Sequence, residues 1–102
     1  DFDMEFSDKY FVDVVLVSGG YPKQYEKGKK INSLTGREKL VFHAGTKRIN
    51  NSWITNSGRV LNVVDTGKTL SEAIENAYEK VKRYHFDNMY YRKDIGKRVL
   101  GK

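Results

Sequence analysis

The chain has 102 residues, which suits one domain around one hydrophobic core and excludes two such domains. It contains no cysteine, which excludes disulfides and thiolate metal sites and leads us to expect a reducing, cytoplasmic setting. Its longest apolar run, residues 14–17, is far shorter than the roughly 20 residues of a membrane helix, so no membrane segment is expected. The formal net charge of +6 indicates an anionic partner, which composition leaves open among nucleic acid, a phosphorylated small molecule and an acidic neighbouring domain.

The first eight residues are acidic and carry apolar side chains at alternate positions. This pattern fits either an edge strand or a connector, and we favour a connector from a preceding domain over residues 1–8, with the domain itself over residues 9–102. Residues 9–18 then place β-branched and aromatic side chains on both faces, which predicts a central strand buried on both sides. Asp13 interrupts this strand, so its carboxylate either has an interior partner or lies at the solvent end.

A second strand is predicted over residues 39–44, with Leu40 and Phe42 on one face and Val41 and His43 on the other. A single histidine at a strand end is more often a hydrogen-bonding residue of the core than a catalyst. No serine or second histidine stands at a spacing that suggests a nucleophile or a metal ligand beside it. We therefore expect neither a catalytic residue nor a metal site in this chain.

Two turns follow the second strand. Asn50 and Asn51 predict a hairpin over residues 49–53, and Asn-Ser-Gly at residues 56–58 predicts a second hairpin, because Asn and Gly tolerate the positive φ of such turns. A long strand is then predicted over residues 59–66. These hairpins would place two segments side by side, each containing a glycine and a cationic side chain.

Those two segments are the candidate binding site of the chain. Cationic side chains offset the charge of a phosphate, a threonine hydroxyl can donate to it, and glycine lets backbone N–H groups approach it. The pattern predicts a phosphate-binding site formed by Gly45, Thr46, Lys47, Gly58 and Arg59. The alternative is that Lys47 and Arg59 are solvated charges at hairpin ends.

The clearest helix begins after Thr69, where Thr-Leu-Ser-Glu predicts a capping box. The Thr69 hydroxyl would accept from the Glu72 N–H, and the Glu72 carboxylate would accept from the Thr69 N–H. Apolar residues then recur at intervals of three and four, which predicts one buried stripe: Leu70, Ala73, Ile74, Ala77, Tyr78, Val81 and Tyr84. The predicted fold is α+β, a small antiparallel sheet or barrel-like module with one main helix packed on it.

A basic segment at residues 89–98 closes the chain. Three interpretations of this segment stay open: a further anion contact, a contact with a neighbouring domain, or a frayed tail. The cations concerned are Arg92, Lys93 and Arg98. Packing is favoured over fraying by its large apolar and aromatic side chains: Tyr90, Tyr91 and Ile95.

Five strings occur in a fixed order: Ser-Gly-Gly-Tyr-Pro from Ser18, Val-Phe-His-Ala-Gly-Thr-Lys from Val41, Gly-Arg-Val-Leu-Asn-Val from Gly58, the helix from Thr69, and Tyr-Arg-Lys-Asp-Ile-Gly from Tyr91. Together they resemble the C-terminal domain of the phosphoribosylamine–glycine ligases, also called glycinamide ribonucleotide synthetases. The resemblance covers nearly everything after residue 10. The chain departs where the family commonly has glycine, at Lys23, Ser57 and Asn88, and serine and asparagine still suit turns there.

This resemblance implies a part of an ATP-grasp enzyme of purine biosynthesis. In that family ATP phosphorylates the glycine carboxylate, and the amine of 5-phosphoribosylamine attacks the acyl phosphate to give glycinamide ribonucleotide, ADP and phosphate. It implies that ATP, Mg²⁺ and the catalytic groups belong mainly to a preceding domain, so this fragment alone is inactive. The implied partners are the N-terminal and ATP-grasp domains of the same chain and 5-phosphoribosylamine, with neither nucleic acid nor membrane. Related enzymes hold the ribose phosphate with a lysine and an arginine, which correspond to Lys47 and Arg59.

A function of a different class stays open, a basic nucleic-acid-binding module. The net charge of +6 and the seven tyrosines motivate it. It expects a basic stripe interleaved with exposed aromatic residues on one sheet face, whereas the helix tyrosines fall on the apolar stripe. Binding to a random oligonucleotide that weakens steeply with salt would identify such a module.

Overall fold

A computed structural model of the chain describes residues 10–93, and within this range the backbone forms six strands and one helix. They are β1 (Tyr10–Ser18), β2 (Val41–His43), β3 (Thr46–Ile49), β4 (Ser52–Thr55), β5 (Arg59–Gly67), α1 (Leu70–Val81) and β6 (Met89–Tyr90). The predicted connector at residues 1–8, Ile95 and Arg98 lie outside the described residues. Between residues 10 and 93, no helix has the length and apolar character needed to cross a membrane.

Four strands form one antiparallel sheet in the order β2-β5-β1-β6, while β3 and β4 form a separate two-stranded sheet. The centre of the larger sheet is the β1–β5 pair, in which Val14 lies opposite Val63. A bulge between Leu16 and Val17 shifts the register, so that Val17 lies opposite Arg59. With α1 packed on this sheet, the structure confirms the predicted α+β fold.

β1 presents one buried and one exposed face. Val12, Val14 and Leu16 lie in the core together with residues of α1, whereas Val15 on the other face is 38% exposed. Asp13 lies in mid-strand on that exposed face. The prediction that β1 is buried on both faces is therefore wrong, because α1 covers one face of the four-stranded sheet.

β2 is shorter than the strand predicted over residues 39–44. Leu40 has a φ of 58°, so it belongs to a turn, although its carbonyl accepts from the Val64 N–H at 2.8 Å. Val41 is the residue of this strand that enters the core, while Phe42 is 54% exposed. Val41 and Phe42 differ in burial as the predicted alternation requires, whereas His43, predicted on the Val41 side, is exposed.

The first predicted hairpin is confirmed and the second is wrong. Asn50 and Asn51 connect β3 to β4 with φ angles of 48° and 68°. Residues 56–58 instead carry the chain from the small sheet to the large one, because β5 already has β1 on one edge and β2 on the other. At this crossing the Asn56 N–H donates to the Gly45 carbonyl at 2.8 Å.

α1 begins as predicted at the Thr69 N-cap, whose hydroxyl accepts from the Glu72 N–H at 3.1 Å. The other half of the predicted capping box differs, since the Glu72 carboxylate accepts from the Lys68 N–H at 2.8 Å. The predicted apolar stripe is confirmed, with full burial of four of its helical residues: Ala73, Ile74, Ala77 and Val81. This stripe packs the helix against β1 and β5.

Lys80 ties the helix to the edge of the sheet that leads into β2. Its Nζ donates to the carbonyls of Lys39 at 2.7 Å and Val64 at 2.8 Å. Burial lowers the pKa of Lys80, since the charged amine loses part of its hydration there. The contact holds the turn at residues 39–40 in place and thereby the start of β2.

Candidate functional site

The two predicted segments meet at the junction between the two sheets. The Gly45 N–H donates to the Val60 carbonyl at 3.1 Å. A side chain at Gly45 would collide with the Arg59 carbonyl and would place a Cβ 2.5 Å from the Ser57 Cβ. Only glycine therefore permits this approach, and the structure brings the backbones of Gly45 and Arg59 together.

Gly58 has a different environment from the one that the sequence predicts. It is buried, its carbonyl accepts from the Ser18 N–H at 2.8 Å, and an added Cβ would overlap the ring of Tyr21. The expectation of two exposed glycine backbones is wrong for Gly58, and the N–H of Gly45 already has an acceptor. Both glycines serve close packing at this junction.

The Arg59 side chain is exposed and lies over Tyr21, with its guanidinium carbon 5.9 Å from the ring centroid. Tyr21 in turn packs edge-on against Tyr25, with centroids 5.7 Å apart. A cation over a tyrosine face gains electrostatic attraction and loses conformational freedom. Tyr21 is thus a site residue that the sequence analysis missed, because its contact with Arg59 joins segments that are distant in the chain.

A cavity of about 570 Å³ adjoins Tyr25. Its lining is polar and comes from the loop after β1 and the turn before β6: Gly19, Lys23, Gln24, Tyr25, Glu26 and Asn88. The cavity places further hydrogen-bonding groups beside Tyr25, which packs against the Tyr21 ring beneath Arg59.

Thr46 and Lys47 lie at the start of β3, opposite Thr55 and Ile54. Successive residues of a strand alternate in direction, so their side chains emerge on opposite faces of the hairpin. Thr46 contacts His43, whereas Lys47 is exposed on the other face. The structure therefore separates these two side chains while keeping both next to the junction at Gly45.

His43 belongs to a stack on the Thr46 side of the hairpin. Its ring lies 4.6 Å from that of Trp53, and the guanidinium carbon of Arg48 lies 5.8 Å from the Trp53 ring centroid. Nδ1 of His43 is 2.8 Å from the Thr46 hydroxyl oxygen. His43 is thus a hydrogen-bonding residue, as the sequence favours, but it is exposed instead of lying in the core.

The described part of the C-terminal basic segment packs against α1. The Tyr78 hydroxyl donates to the Arg92 carbonyl at 2.9 Å, and Nζ of Lys93 lies 5.7 Å from the centroid of the Tyr91 ring. Tyr91 packs against the core as predicted, whereas Tyr90 is 59% exposed. Tyr90 of this segment and Arg59 both lie opposite Val17, so β6 is one strand away from Arg59.

The nucleic-acid alternative expects a row of cations among exposed aromatic residues on one sheet face. Among the described strand residues, the face opposite α1 carries three exposed aromatic residues, Phe11, Phe42 and Tyr90. Its cation is Arg59, and it also carries Asp13. The helix tyrosines are in or against the core. This distribution does not favour a nucleic-acid interface.

The chain is similar to known proteins over most of its length. The profile of the family described as phosphoribosylglycinamide synthetase, C domain, matches residues 11–98. A phosphoribosylamine–glycine ligase from Synechocystis is 50% identical over 92 residues, which cover 87% of this chain and 22% of the relative. A bifunctional purine biosynthetic protein from Schizosaccharomyces pombe is 45% identical over 100 residues, which cover 96% of this chain and 13% of that protein.

The fold has a solved counterpart in the same group of proteins. The crystal structure of a phosphoribosylamine–glycine ligase from Thermotoga maritima matches with a TM-score of 0.74 and 44% identity, over 82% of this chain and 21% of that one. The present chain spans about a fifth or less of the length of these relatives. Because the profile covers most of the chain and the fold agrees, this chain belongs to the phosphoribosylglycinamide synthetase C domain family.

Proposed function

We propose that this domain is the C-terminal, substrate-contacting part of a phosphoribosylamine–glycine ligase, an ATP-dependent enzyme of purine biosynthesis in the cytoplasm. In the reaction, ATP phosphorylates the carboxylate of glycine. The amine of 5-phosphoribosylamine then attacks the acyl carbon, and phosphate leaves as the C–N bond of glycinamide ribonucleotide forms. The family match and the 50% identity to a ligase over 87% of this chain support the assignment.

ATP and Mg²⁺ belong elsewhere in such an enzyme. Residues 10–93 contain no group of three or more His, Cys, Asp or Glu side chains arranged to hold a metal ion. Mg²⁺ prefers carboxylate and phosphate oxygens, whereas the groups around Arg59 suit an anion. On the strength of the family membership, we assign ATP, Mg²⁺ and the catalytic groups to the other domains of the full-length chain. We take residues 1–8 as the connector and residues 9–102 as a domain that is inactive alone.

The task of this domain is then to hold the ribose phosphate of the substrate. The observation that carries this proposal is Arg59, an exposed guanidinium held over Tyr21 at the junction of the two sheets. A guanidinium can form two parallel hydrogen bonds to phosphate, and one that is already oriented loses less freedom on binding. Thr46 and Lys47 emerge on opposite faces at the start of β3, so they would contact the anion from the two sides of the strand end next to Gly45. Gly45 and Gly58 allow the close packing that brings the segments together.

A pair of ligands tests the phosphate contact directly. We expect Lys47→Ala in the full-length ligase to weaken binding of glycinamide ribonucleotide about fivefold, the loss of one charge-assisted contact at an exposed site. Binding of the dephosphorylated nucleoside should not change. Calorimetry or fluorescence titration measures both, and Lys68→Ala, which removes an exposed lysine away from the junction, is the control. An equal loss for both ligands would show that Lys47 does not contact the phosphate.

We also propose that other domains of the full-length chain pack on the sheet face opposite α1. Four large side chains are exposed on it: Phe11 at 44%, Val15 at 38%, Phe42 at 54% and Tyr90 at 59%. Phe11 and Val15 alternate with the buried residues of β1. Phe42 shares their face because it lies opposite Asn62, as Val15 does, and Tyr90 shares it because it lies opposite Val17. A solvated face of an antiparallel sheet is usually polar, so this apolar one suits a contact. Further contacts with those domains are assigned to the basic C-terminal segment: Arg92, Lys93 and Arg98.

Asp13 on that face provides a test of this contact, because the contact decides whether Asp13→Asn raises or lowers stability. Although the side chain is exposed, partial desolvation by its surroundings raises the pKa of the Asp13 carboxyl, so the folded chain holds this proton more tightly than the unfolded chain does. The associated stabilisation is present below the pKa of the unfolded state and is lost as pH rises through the folded-state pKa. In the 102-residue chain we therefore expect Asp13→Asn to raise the urea midpoint at about pH 7 and to change it little at about pH 3.

The full-length ligase should respond in the opposite direction. A covering domain that pairs a cation or an N–H donor with the Asp13 carboxylate makes the charged form favourable, so Asp13→Asn should lower the midpoint there. Glu75→Gln removes an exposed carboxylate on α1 and is the control in both proteins. The same stabilising shift in the chain and in the full-length enzyme would contradict the proposed contact at Asp13.

A further inference from the structure

The hydrogen bond between His43 and Thr46 joins the end of β2 to the start of β3, next to Gly45. Nδ1 lies 2.8 Å from the threonine hydroxyl oxygen. His43 is exposed and Thr46 is half-buried, so both stand at the surface of the proposed phosphate site. The direction of the Thr46 hydroxyl hydrogen therefore depends on which atom of this pair donates.

The two possible arrangements have opposite consequences for an anion. A threonine hydroxyl has one hydrogen and two lone pairs, and a neutral imidazole has one N–H. If the hydroxyl donates to Nδ1, its hydrogen is used and only lone pairs face a ligand, which repel phosphate. If Nδ1–H donates to the hydroxyl oxygen, the hydrogen of Thr46 can point to a phosphate oxygen.

We propose that His43 is a positioning residue that donates Nδ1–H to Thr46, so that the Thr46 hydroxyl donates to the phosphate of the substrate. This proposal rests on the proposed function, because it needs an anion at Thr46. An anion binds only the arrangement with a free hydroxyl hydrogen, so binding selects that tautomer. Exposure of the His43 ring leaves Nε2 to accept from solvent.

The ring of His43 is held from its other side by Trp53. The planes are inclined at 53° with centroids 4.6 Å apart, so a rotation of the imidazole would break this contact. Trp53 is itself fixed, since it packs against the core and lies so near Gly36 that an added Cβ there would stand 3.0 Å from the indole. The hydrogen bond to Thr46 is thereby oriented before a ligand arrives.

An isosteric pair of variants separates donation from acceptance at the position of Nδ1. The amide of His43→Asn can donate to Thr46, whereas the carboxylate of His43→Asp can only accept. In the full-length ligase we expect the Asn variant to bind glycinamide ribonucleotide within about threefold of the wild type and the Asp variant to bind about tenfold or more weakly. The KM for ATP should stay the same in both, which excludes a general loss of structure.

Repeating the pair with Thr46→Val separates the hydrogen bond from the added negative charge of aspartate. The proposal expects the difference between the Asn and Asp variants to shrink to about twofold once the hydroxyl is absent. An unchanged difference would overturn it, because charge alone would then account for the effect.

If Arg59→Ala weakens binding but Thr46→Val does not, the phosphate site stands and the role of His43 fails. If neither variant weakens binding, the proposed function itself fails.

Discussion

Replacing Arg59 with alanine in the full-length ligase is expected to raise the KM for 5-phosphoribosylamine about tenfold to a hundredfold and to leave the KM for ATP nearly unchanged. Hydrogen bonds to a charged group contribute about 1.5–3 kcal/mol, and each 1.4 kcal/mol corresponds to about a tenfold change in affinity. The upper half of the range applies if the guanidinium binds the phosphate through two parallel hydrogen bonds. Initial-rate kinetics with each substrate varied in turn measures the effect.

Two further variants give this experiment its controls. Arg37→Ala removes an exposed side chain and keeps the hydrogen bond from the Arg37 backbone N–H to the Thr35 hydroxyl. It therefore lowers the net charge by the same amount without touching the junction. Arg59→Lys keeps the charge but loses the paired geometry and the stacking on Tyr21, and should recover only part of the affinity. If the KM for 5-phosphoribosylamine is unaltered in Arg59→Ala, the phosphate contact at this residue is refuted.

Gly58→Ala is expected to destabilise the chain by about 1–3 kcal/mol, the range observed when a well-packed interior must accept an extra methyl group. The added Cβ would overlap the ring of Tyr21, and the φ of Gly58 lies outside the left-handed region, so the cost is steric. Urea unfolding should show a lower midpoint with an unchanged slope. Because Tyr21 also supports Arg59, displacement of its ring should weaken phosphate binding in the full-length enzyme.

A double-mutant cycle isolates the steric origin of this loss. Once Tyr21→Ala has removed the ring, Gly58→Ala should add little further destabilisation. Gly28→Ala is the matched control, since its cost comes from a φ of 80° with open space around the added Cβ, and that cost should be the same with or without Tyr21. Additive effects of Gly58→Ala and Tyr21→Ala would mean that the two residues do not press on each other as the structure shows.

The features that the sequence predicts correctly depend on neighbouring residues. The hydroxyl of Thr69 lies one turn from the N–H of Glu72, so the helix start follows from four residues. The turn at Asn50 and Asn51 follows from two residues that tolerate positive φ. The stripe on α1 follows from the helical period, and the ordered strings are enough to indicate the family.

At the candidate site, the sequence predicts which residues are involved but not how distant segments contact one another. The sequence selects Gly45 and Arg59, and their backbones do meet. It assigns that meeting to two adjacent hairpins, whereas the chain crosses between two sheets at residues 56–58. It also gives no sign of Tyr21 beneath Arg59 or of Trp53 beside His43, because these contacts form only when distant strands have paired.

By itself, the sequence determined the family, the helix and its cap, the Asn-Asn turn and the segments from which the site is built. Only the tertiary structure decided which face of β1 is open, that Gly58 lies beneath Tyr21, and that Thr46 and Lys47 emerge on opposite faces. The physical reason is that turns, caps and helices are fixed by interactions within a few residues. Strand partners and covered faces depend instead on which distant edges and apolar surfaces satisfy one another, and no local pattern records that choice.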